Sequence, residues 1–189
     1  MILGLSFVIG MPAVASDLYE WTKDRAEQGF KVEQAALGSM YYEGKEVQQN
    51  DSKALEWSKK AAEQGVDSAQ ALIGKMYYEG RGVKQDYSKA FAIYKTLADE
   101  GFSTFQSKIA LMYFDGEGVE QSNTNAFKWA RKSVYQTNGE PTPTSIATLG
   151  AFYEFGVGVR QNEYKAKELF ERACENGSEI GCDGYKRLR

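Results

Sequence analysis

The sequence predicts an all-α fold, a right-handed α/α superhelix (solenoid) of stacked helix pairs, and three observations lead to it. One short motif recurs with its last glycine 36, 36 and 40 residues apart: Met40–Gly44, Met76–Gly80, Met112–Gly116 and Phe152–Gly156. Four alanines keep the same spacing: Ala54, Ala90, Ala126 and Ala166. Between these marks the apolar residues fall at helical spacing. A single helix pair cannot bury its apolar face, so the pairs are expected to stack.

Each period is predicted to contain two helices joined by a short turn. In the best-preserved period the first helix runs from Asp67 to Glu79, with Asp67 as its N-cap and Gly80 just past its end. After a turn the second helix opens at Asp86 and runs to Glu100. Small residues recur at one register of the first helices, which predicts a close approach to the paired helix: Gly38, Gly74, Ala110 and Gly150.

The predicted array occupies residues 16–189 and contains about four full pairs with half-repeats at both ends. It begins with a lone second helix (Asp17–Gln28) and ends with a lone first helix (Ser178–Leu188). The turn between Lys132 and Ser145 carries the four additional residues of the longest period.

Residues 1–15 are predicted to be a secretory signal peptide. They carry no charge, the apolar run is too short to span a bilayer, and Ala13-Val14-Ala15 fits the small-x-small cleavage pattern. The alternative is a short hydrophobic helix that caps the array. A signal peptide predicts a mature chain that starts near Ser16 in the periplasm or outside the cell, with no stable membrane anchor. Such a compartment is oxidising.

Composition excludes several classes of function. The chain has 23 Lys and Arg against 26 Asp and Glu, a formal charge of −3, which disfavours nucleic-acid binding. Histidine is absent, so a Ser-His-Asp triad is impossible and the commonest metal ligand is missing. We therefore expect no cofactor and no metal ion.

Two cysteines, Cys174 and Cys182, fall on neighbouring antiparallel helices of the predicted array. That arrangement brings them within disulfide reach, and we favour a structural disulfide over a redox or metal role.

The run from Gly74 to Ala90 reads Gly-x-Met-Tyr-Tyr-Glu-Gly-x-Gly-Val-x-Gln-Asp-Tyr-x-Lys-Ala, with weaker copies at Gly38–Ala54, Ala110–Ala126 and Gly150–Ala166. In this pattern the chain resembles the Sel-one-like repeat (SLR) family, a branch of the tetratricopeptide-like α/α solenoids, over roughly residues 17–189. Glu46 departs from the pattern, because it replaces the second turn glycine found at Gly82, Gly118 and Gly158.

The resemblance implies a non-enzymatic, exported scaffold that holds a protein or peptide partner in the groove of the superhelix. Immunity proteins and envelope adaptors are the specific roles it suggests, and we expect a monomer. It also implies an alternative, because a cysteine-rich SLR branch has the same cysteine spacing and some of its members have been assigned penicillin-binding or β-lactamase activity. The chain lacks the Ser-x-x-Lys, Ser-Asp-Asn and Lys-Thr-Gly motifs of that chemistry, so a β-lactamase-like enzyme is the less favoured hypothesis.

Candidate partner-binding residues are the positions on the first helices that vary between repeats. One register holds Ser39, Lys75, Leu111 and Ala151, and a second holds Gln34, Gln70 and Gln106. The long turn with Glu140 is a further candidate contact. Ordinary exposed positions also vary freely, so these assignments stay open.

Three repeated features are predicted to be structural. The Gly-x-Gly-Val segments follow helices rather than strands, which favours a helix-to-helix turn over a phosphate loop. The carboxylates that recur once per repeat are expected at surface or turn positions rather than in a glycosidase pair: Glu43, Glu79, Asp115 and Glu154. The tyrosine ladder is expected in the core: Tyr41, Tyr77, Tyr113 and Tyr153.

Overall fold

The computed structural model describes residues 13–189, and over that range every regular element is an α-helix, which confirms the all-α prediction. The helices are α1 (Ala13–Glu27), α2 (Lys31–Glu43), α3 (Asp51–Glu63), α4 (Asp67–Glu79), α5 (Tyr87–Asp99), α6 (Ser103–Asp115), α7 (Asn123–Tyr135), α8 (Pro143–Phe155), α9 (Glu163–Glu175) and α10 (Glu179–Arg187). Of the predicted signal peptide, residues 1–12 lie outside the described range, so the signal peptide stays a prediction.

Polar N-caps start the second helix of each pair. The side chain of the cap accepts a hydrogen bond from the backbone N–H three residues later, which satisfies one orphan donor of the first turn. The caps are Asn50, Asp86, Ser122 and Asn162. The prediction for Asp67 is wrong by one position, because Asp67 is the first residue of α4 rather than its cap.

Glycine ends each complete first helix in the left-handed conformation that costs glycine least. These glycines have φ between +69° and +75°: Gly44, Gly80, Gly116 and Gly156. The Gly-x-Gly-Val segments are therefore helix-to-helix turns, as predicted. Glu46 keeps the left-handed conformation of the glycines it replaces, with φ of +62°.

The second glycine of the turn lies against the start of the second helix of the preceding pair. A Cβ added at Gly158 would lie 2.0 Å from the carbonyl oxygen of Asn123, and one added at Gly118 would lie 2.2 Å from that of Tyr87. Since real Cβ atoms never come that close, only glycine permits this contact. The turn thereby fixes the distance between successive pairs.

Residues 13–73 together with Arg81–Val83 form the first compact unit. Helix α2 packs against both α1 and α3, and at Gly38 an added Cβ would lie 2.6 Å from the hydroxyl oxygen of Ser58. The Arg81 guanidinium donates to the Asp51 carboxylate at 2.6 Å and stacks 3.7 Å from the ring centroid of Tyr42. That hydrogen bond holds the pKa of Asp51 below its usual range.

Gly74–Gly80 and Lys84–Arg189 form the second unit, in which α5–α10 make two layers. The first helices contact one another, α6 with α8 and α8 with α10. Within this unit's described helices, the backbones of α5, α7 and α9 lie close to first helices only, and α5 meets α7 through side chains such as Asp99 and Lys132. The layer of first helices is therefore the more tightly spaced of the two. The main core cluster of the second unit consists mostly of side chains of α7, α8 and α9, including Ile146, Leu149 and Phe170.

The C-terminal helix α10 is held by a covalent and an ionic contact. Cys174 on α9 and Cys182 on α10 form a disulfide with their Cα atoms 4.5 Å apart, as predicted. Arg187 reaches back to α8, where its Nε and Nη2 donate to the two carboxylate oxygens of Glu154 at 2.7 and 2.6 Å. Helix α10 is thus connected to both helices of the pair before it.

Replacing Gly158 with alanine is expected to destabilise the protein by about 2–4 kcal/mol, because it adds a backbone clash to the cost of a left-handed alanine. Gly139→Ala is the matched control: its φ is +106° and nothing lies within 4 Å of an added Cβ. We expect about 1 kcal/mol there. Urea unfolding followed by circular dichroism measures both, and equal losses would contradict the role of the turn glycine.

Removing the disulfide with the double substitution Cys174→Ala and Cys182→Ala is expected to lower the free energy of unfolding by about 2–3 kcal/mol, the chain-entropy value for so short a loop. Thermal unfolding with and without a thiol reductant tests this. The reductant should lower the melting temperature of the unmutated chain and leave that of the double variant unchanged. An equal effect of the reductant on both proteins would contradict a stabilising bond.

Candidate partner-binding site

A pocket of about 270 Å³ opens beside α6 in the second unit. Tyr94 and Phe105 line it with stacked rings whose centroids are 5.6 Å apart, and Leu111 adds a third apolar side chain. Lys108 and four hydroxyl residues complete the lining: Thr104, Ser107, Thr142 and Thr144. The pocket is a small cleft with apolar walls and hydroxyl groups among them.

The long turn between α7 and α8 supplies part of the wall, and hydrogen bonds hold it in place. The backbone N–H of Asn138 donates to the carbonyl oxygen of Gly101 at 2.9 Å, and the Thr137 hydroxyl donates to the same oxygen at 2.8 Å. The turn predicted as irregular is therefore tied to the turn between α5 and α6. That tie positions Thr142 and Thr144 at the pocket.

A buried chain of hydroxyl groups reinforces this tie beneath the pocket. The Ser103 hydroxyl donates to the carbonyl oxygen of Ser133 at 2.8 Å, and its oxygen lies 2.7 Å from that of Ser145. The Ser145 hydroxyl lies 2.5 Å from the Thr142 hydroxyl, which also caps α8. Each hydroxyl can donate to the next and accept from the previous one, so the three helices α6, α7 and α8 share one satisfied network.

Lys108 is partly buried in the lining of the pocket. Its ammonium nitrogen is 3.6 Å from the ring centroid of Tyr78, whose hydroxyl donates to Glu117 at 2.7 Å. Burial lowers the pKa of Lys108, while the nearby carboxylates of Glu117, Asp115 and Glu79 act in the opposite direction. Burial and the hydrogen bond to Glu117 raise the pKa of Tyr78. The positive charge at the pocket is therefore balanced by its own surroundings.

The residues proposed from the sequence as partner contacts lie in three kinds of environment. Ser39, Lys75 and Glu140 are exposed, Gln70 is partly buried, and Leu111 lines the pocket. The last two, Gln34 and Gln106, are buried. The sequence alone did not indicate Tyr94, Phe105 or Lys108 as pocket residues. It showed only that Tyr94 and Phe105 are aromatic residues at positions of predicted helices.

Gln106 is fully buried and connects three helices. Its side-chain N–H groups donate to the carbonyl oxygens of Ala98 at 3.1 Å and Gln136 at 3.3 Å. Gln34 repeats the arrangement in the first unit, where it donates to Ala26 at 3.1 Å and accepts from the Gln64 amide at 2.7 Å. These two glutamines donate to carbonyl groups at the ends of second helices, and their burial keeps them from the surface where a partner would bind.

Of the four repeated carboxylates, Glu154 departs from the expected surface position. Its residue is 6% exposed, and both carboxylate oxygens accept from Arg187. The hydrogen bond to Glu154 raises the pKa of Arg187. The other three, Glu43, Glu79 and Asp115, are exposed as predicted. Glu154 differs from the other three because α10 places Arg187 within hydrogen-bond distance of it at the end of α8.

The tyrosine ladder is only partly in the core. Tyr41 is 4% exposed, whereas Tyr77, Tyr113 and Tyr153 are partly buried. Lysine ammonium groups lie 5.1–5.3 Å from three of the ring centroids: Lys53 over Tyr41, Lys89 over Tyr77 and Lys165 over Tyr153. The rings therefore form the border between the core and the surface.

The described residues contain neither a membrane-spanning helix nor a cluster of metal-binding side chains. No helix among them is long and apolar enough to cross a membrane. No group of three or more histidine, cysteine, aspartate or glutamate residues in the described range is placed to hold a metal ion.

The sequence matches the family model of the Sel1 repeat four times, at residues 34–66, 67–102, 104–138 and 145–178, which is more than half of the chain. No curated protein matches it.

The first similar solved structure is a protective antigen of uropathogenic Escherichia coli with an SLR fold, at 32% identity and a TM-score of 0.79, covering 92% of this chain and 36% of that one. A Sel1 repeat protein from Oxalobacter formigenes has 25% identity and a TM-score of 0.77 and covers 89% of this chain and 68% of that one. These matches confirm the predicted solenoid of helix pairs. The chain spans about a third of the length of the Escherichia coli protein.

The glutamine register offers a test of buried against surface roles. Gln106→Leu is expected to lower the free energy of unfolding by about 1–3 kcal/mol, because the hydrogen bonds of a fully buried amide to the carbonyl oxygens of Ala98 and Gln136 are lost. Gln70→Leu, at the same register of α4 but partly exposed, should change it by less than about 0.5 kcal/mol. Urea unfolding of the two variants measures the difference. A loss at Gln70 as large as that at Gln106 would contradict the distinction.

Proposed function

This chain belongs to the Sel1 repeat family, and on that premise we propose that it is an exported, non-enzymatic scaffold that binds a protein or peptide partner on its first-helix layer. Sel1 repeat proteins are generally protein-interaction scaffolds. The observation that carries the proposal for this chain is the apolar pocket beside α6, which contains Leu111, one of the predicted contacts.

The size and charge of the pocket favour a side chain of a partner over a free small molecule or an anion. Its volume of about 270 Å³ lies just below the usual range for small-molecule sites, which starts at about 300 Å³. One large apolar side chain is the kind of anchor that such clefts accept at protein interfaces. Because Glu117, Asp115 and Glu79 act electrostatically on Lys108, the positive charge at the pocket is offset and attracts an acidic group weakly.

Each unit contributes further contacts to the proposal. In the first unit they are Ser39 and Gln70, and in the second unit they are Lys75 and Glu140 with Leu111. Ser39, Lys75 and Leu111 occupy one register with a polar, a charged and an apolar side chain. Side chains that differ between repeats at this position, while neighbouring positions are conserved between repeats, allow a surface to discriminate between partners.

We also propose that the protein acts outside the cytoplasm, in the periplasm or after secretion. The Cys174–Cys182 disulfide supports this, because such bonds persist in oxidising compartments. The predicted signal peptide of residues 1–15 and the protective-antigen description of the Escherichia coli relative are consistent with it. Within that compartment an immunity protein or an envelope adaptor, acting as a monomer, is the role that we propose.

The alternative from the sequence, a β-lactam-binding or β-lactamase-like enzyme, gains no support from the described residues. Its test is direct, since turnover of a chromogenic cephalosporin by the purified protein would establish it. Retention of the protein on an immobilised β-lactam without any protein partner would also favour it over the scaffold.

The scaffold proposal is tested by affinity purification from periplasmic extract under oxidising conditions, with the bound proteins identified by mass spectrometry. The unmutated chain is expected to retain one stoichiometric partner. Leu111→Asp should weaken binding of that partner at least about tenfold, because it puts a charge where an apolar anchor is buried.

Ala92→Asp is the matched control, since it adds the same charge at an exposed position of the neighbouring helix α5. It should retain the partner, and circular dichroism checks that both variants fold. Loss of the partner from both variants, or from neither, would contradict binding at the pocket.

A further inference from the structure

Helix α7 carries three cations and no carboxylate. Lys128, Arg131 and Lys132 stand three and four residues apart, so they project from one face of the helix. All three line a pocket of about 310 Å³ that also contains Thr124, Phe127, Gln136 and Gly158. None of its lining residues is acidic. We call this feature, defined by these seven residues, the basic pocket.

Helix α3, two periods earlier, has a pocket at the corresponding positions, and its lining can be compared with that of the basic pocket. A pocket there is lined by Ser52, Leu55, Glu56, Lys59, Lys60 and Glu63. Its two lysines are matched by two glutamates, and Lys60 lies 2.8 Å from Glu56. Going from α3 to α7, Glu56 is replaced by Lys128 and Glu63 by Tyr135. The two pockets therefore occupy corresponding positions. The pocket on α3 is neutral, and the pocket on α7 is basic because the two glutamates are replaced.

The second helices α5 and α9 are neutral or acidic at the same register. On α5, Lys95 forms an ion pair with Asp99. On α9 the corresponding residues are Glu168, Glu171, Arg172 and Glu175, in which acids outnumber the base. Among the second helices α3, α5, α7 and α9, α7 is therefore the one that presents uncompensated positive charge.

The cations of α7 are largely unpaired. Lys132 lies over Trp129 at 4.4 Å from the ring centroid and 4.0 Å from Asp99. Lys128 and Arg131 are exposed, and neither has an ion-pair partner among residues 17–189. Like charges on one helix face repel, so this arrangement costs stability and gains nothing within the chain. An external anion would offset that repulsion.

We propose that the basic pocket binds an acidic segment of a protein, presenting two or three neighbouring Asp or Glu side chains. The cations are confined to one helix, and the Thr124 hydroxyl and Gln136 amide add neutral donors beside them. A few carboxylates match a cluster of this size. A duplex or an anionic bilayer presents an extended array of charge, which a chain of net charge −3 repels overall. This site lies on the second-helix layer and is independent of the apolar pocket beside α6.

Fluorescence anisotropy with a fluorescein-labelled hexaglutamate peptide tests the proposal at low ionic strength. The unmutated chain should bind the peptide, and rising salt should weaken the binding because salt screens exposed charges. The double variant Lys128→Gln, Arg131→Gln should bind at least about tenfold more weakly. The matched double variant Lys59→Gln, Lys60→Gln on α3 removes the same charge from the neutral pocket and should bind as the unmutated chain does.

Two further probes separate the acidic segment from other anions. Inorganic phosphate and vesicles that contain phosphatidylglycerol should bind more weakly than the peptide at equal concentration of negative charge. Equal affinities of the two double variants, or no binding of the peptide by any of them, would overturn the proposal. Tighter binding of phosphate or vesicles that depends on Lys128 and Arg131 would overturn it in favour of a small anion or a membrane surface. Circular dichroism establishes that each variant is folded.

Discussion

Contacts at residues without a side chain are the constraint on which the rest of this structure depends. At Gly118 and Gly158 the chain passes so close to a neighbouring carbonyl oxygen that no Cβ fits. At Gly38 and Gly74 an added Cβ would lie 2.6 and 2.7 Å from a side-chain atom of the paired helix, so the helices of a pair also approach closely there. These positions fix both the distance within a pair and the distance between successive pairs. The spacing of the helices then determines which side chains come into contact and which of them line a pocket.

Buried polar groups then decide which turns are held rigidly. The Gln106 amide donates to carbonyl oxygens at the ends of two second helices, α5 and α7, and the hydroxyl groups of Ser103, Ser145 and Thr142 connect three helices. The hydroxyl network stabilises this arrangement because a rearrangement would leave its buried donors and acceptors without partners. One wall of the apolar pocket beside α6 is therefore a long turn that hydrogen bonds hold in a fixed position.

The helices were predictable from the sequence because each period carries its own caps and stops. The limits of α4 were predicted at both ends, and Asp86 was identified as the cap of α5. The burial of Gln34 and Gln106 was not predictable from residue type, since glutamine is usually exposed. Their partners are main-chain carbonyl groups on other helices, which leave no sequence pattern. Leu111 was recognised by its register, but the pocket also needs Phe105, Tyr94 and the long turn, and only the tertiary fold brings these together.

The two kinds of turn differ in how much the chain length can vary there. Every turn inside a pair, from the glycine after the first helix to the polar cap of the second, has the same length in all four pairs, because the neighbouring helix is packed against it. The turns between pairs differ in length: the turn between α7 and α8 carries four additional residues, and at its Gly139 no atom lies within 4 Å of the place where a side chain would begin. Insertions, grafted epitopes and affinity tags therefore have an entry point at Gly139, which follows the hydrogen bonds of Thr137 and Asn138 to Gly101 and precedes Thr142 at the pocket. Repeats of this kind can diverge by lengthening the chain at such a point without disturbing the stack.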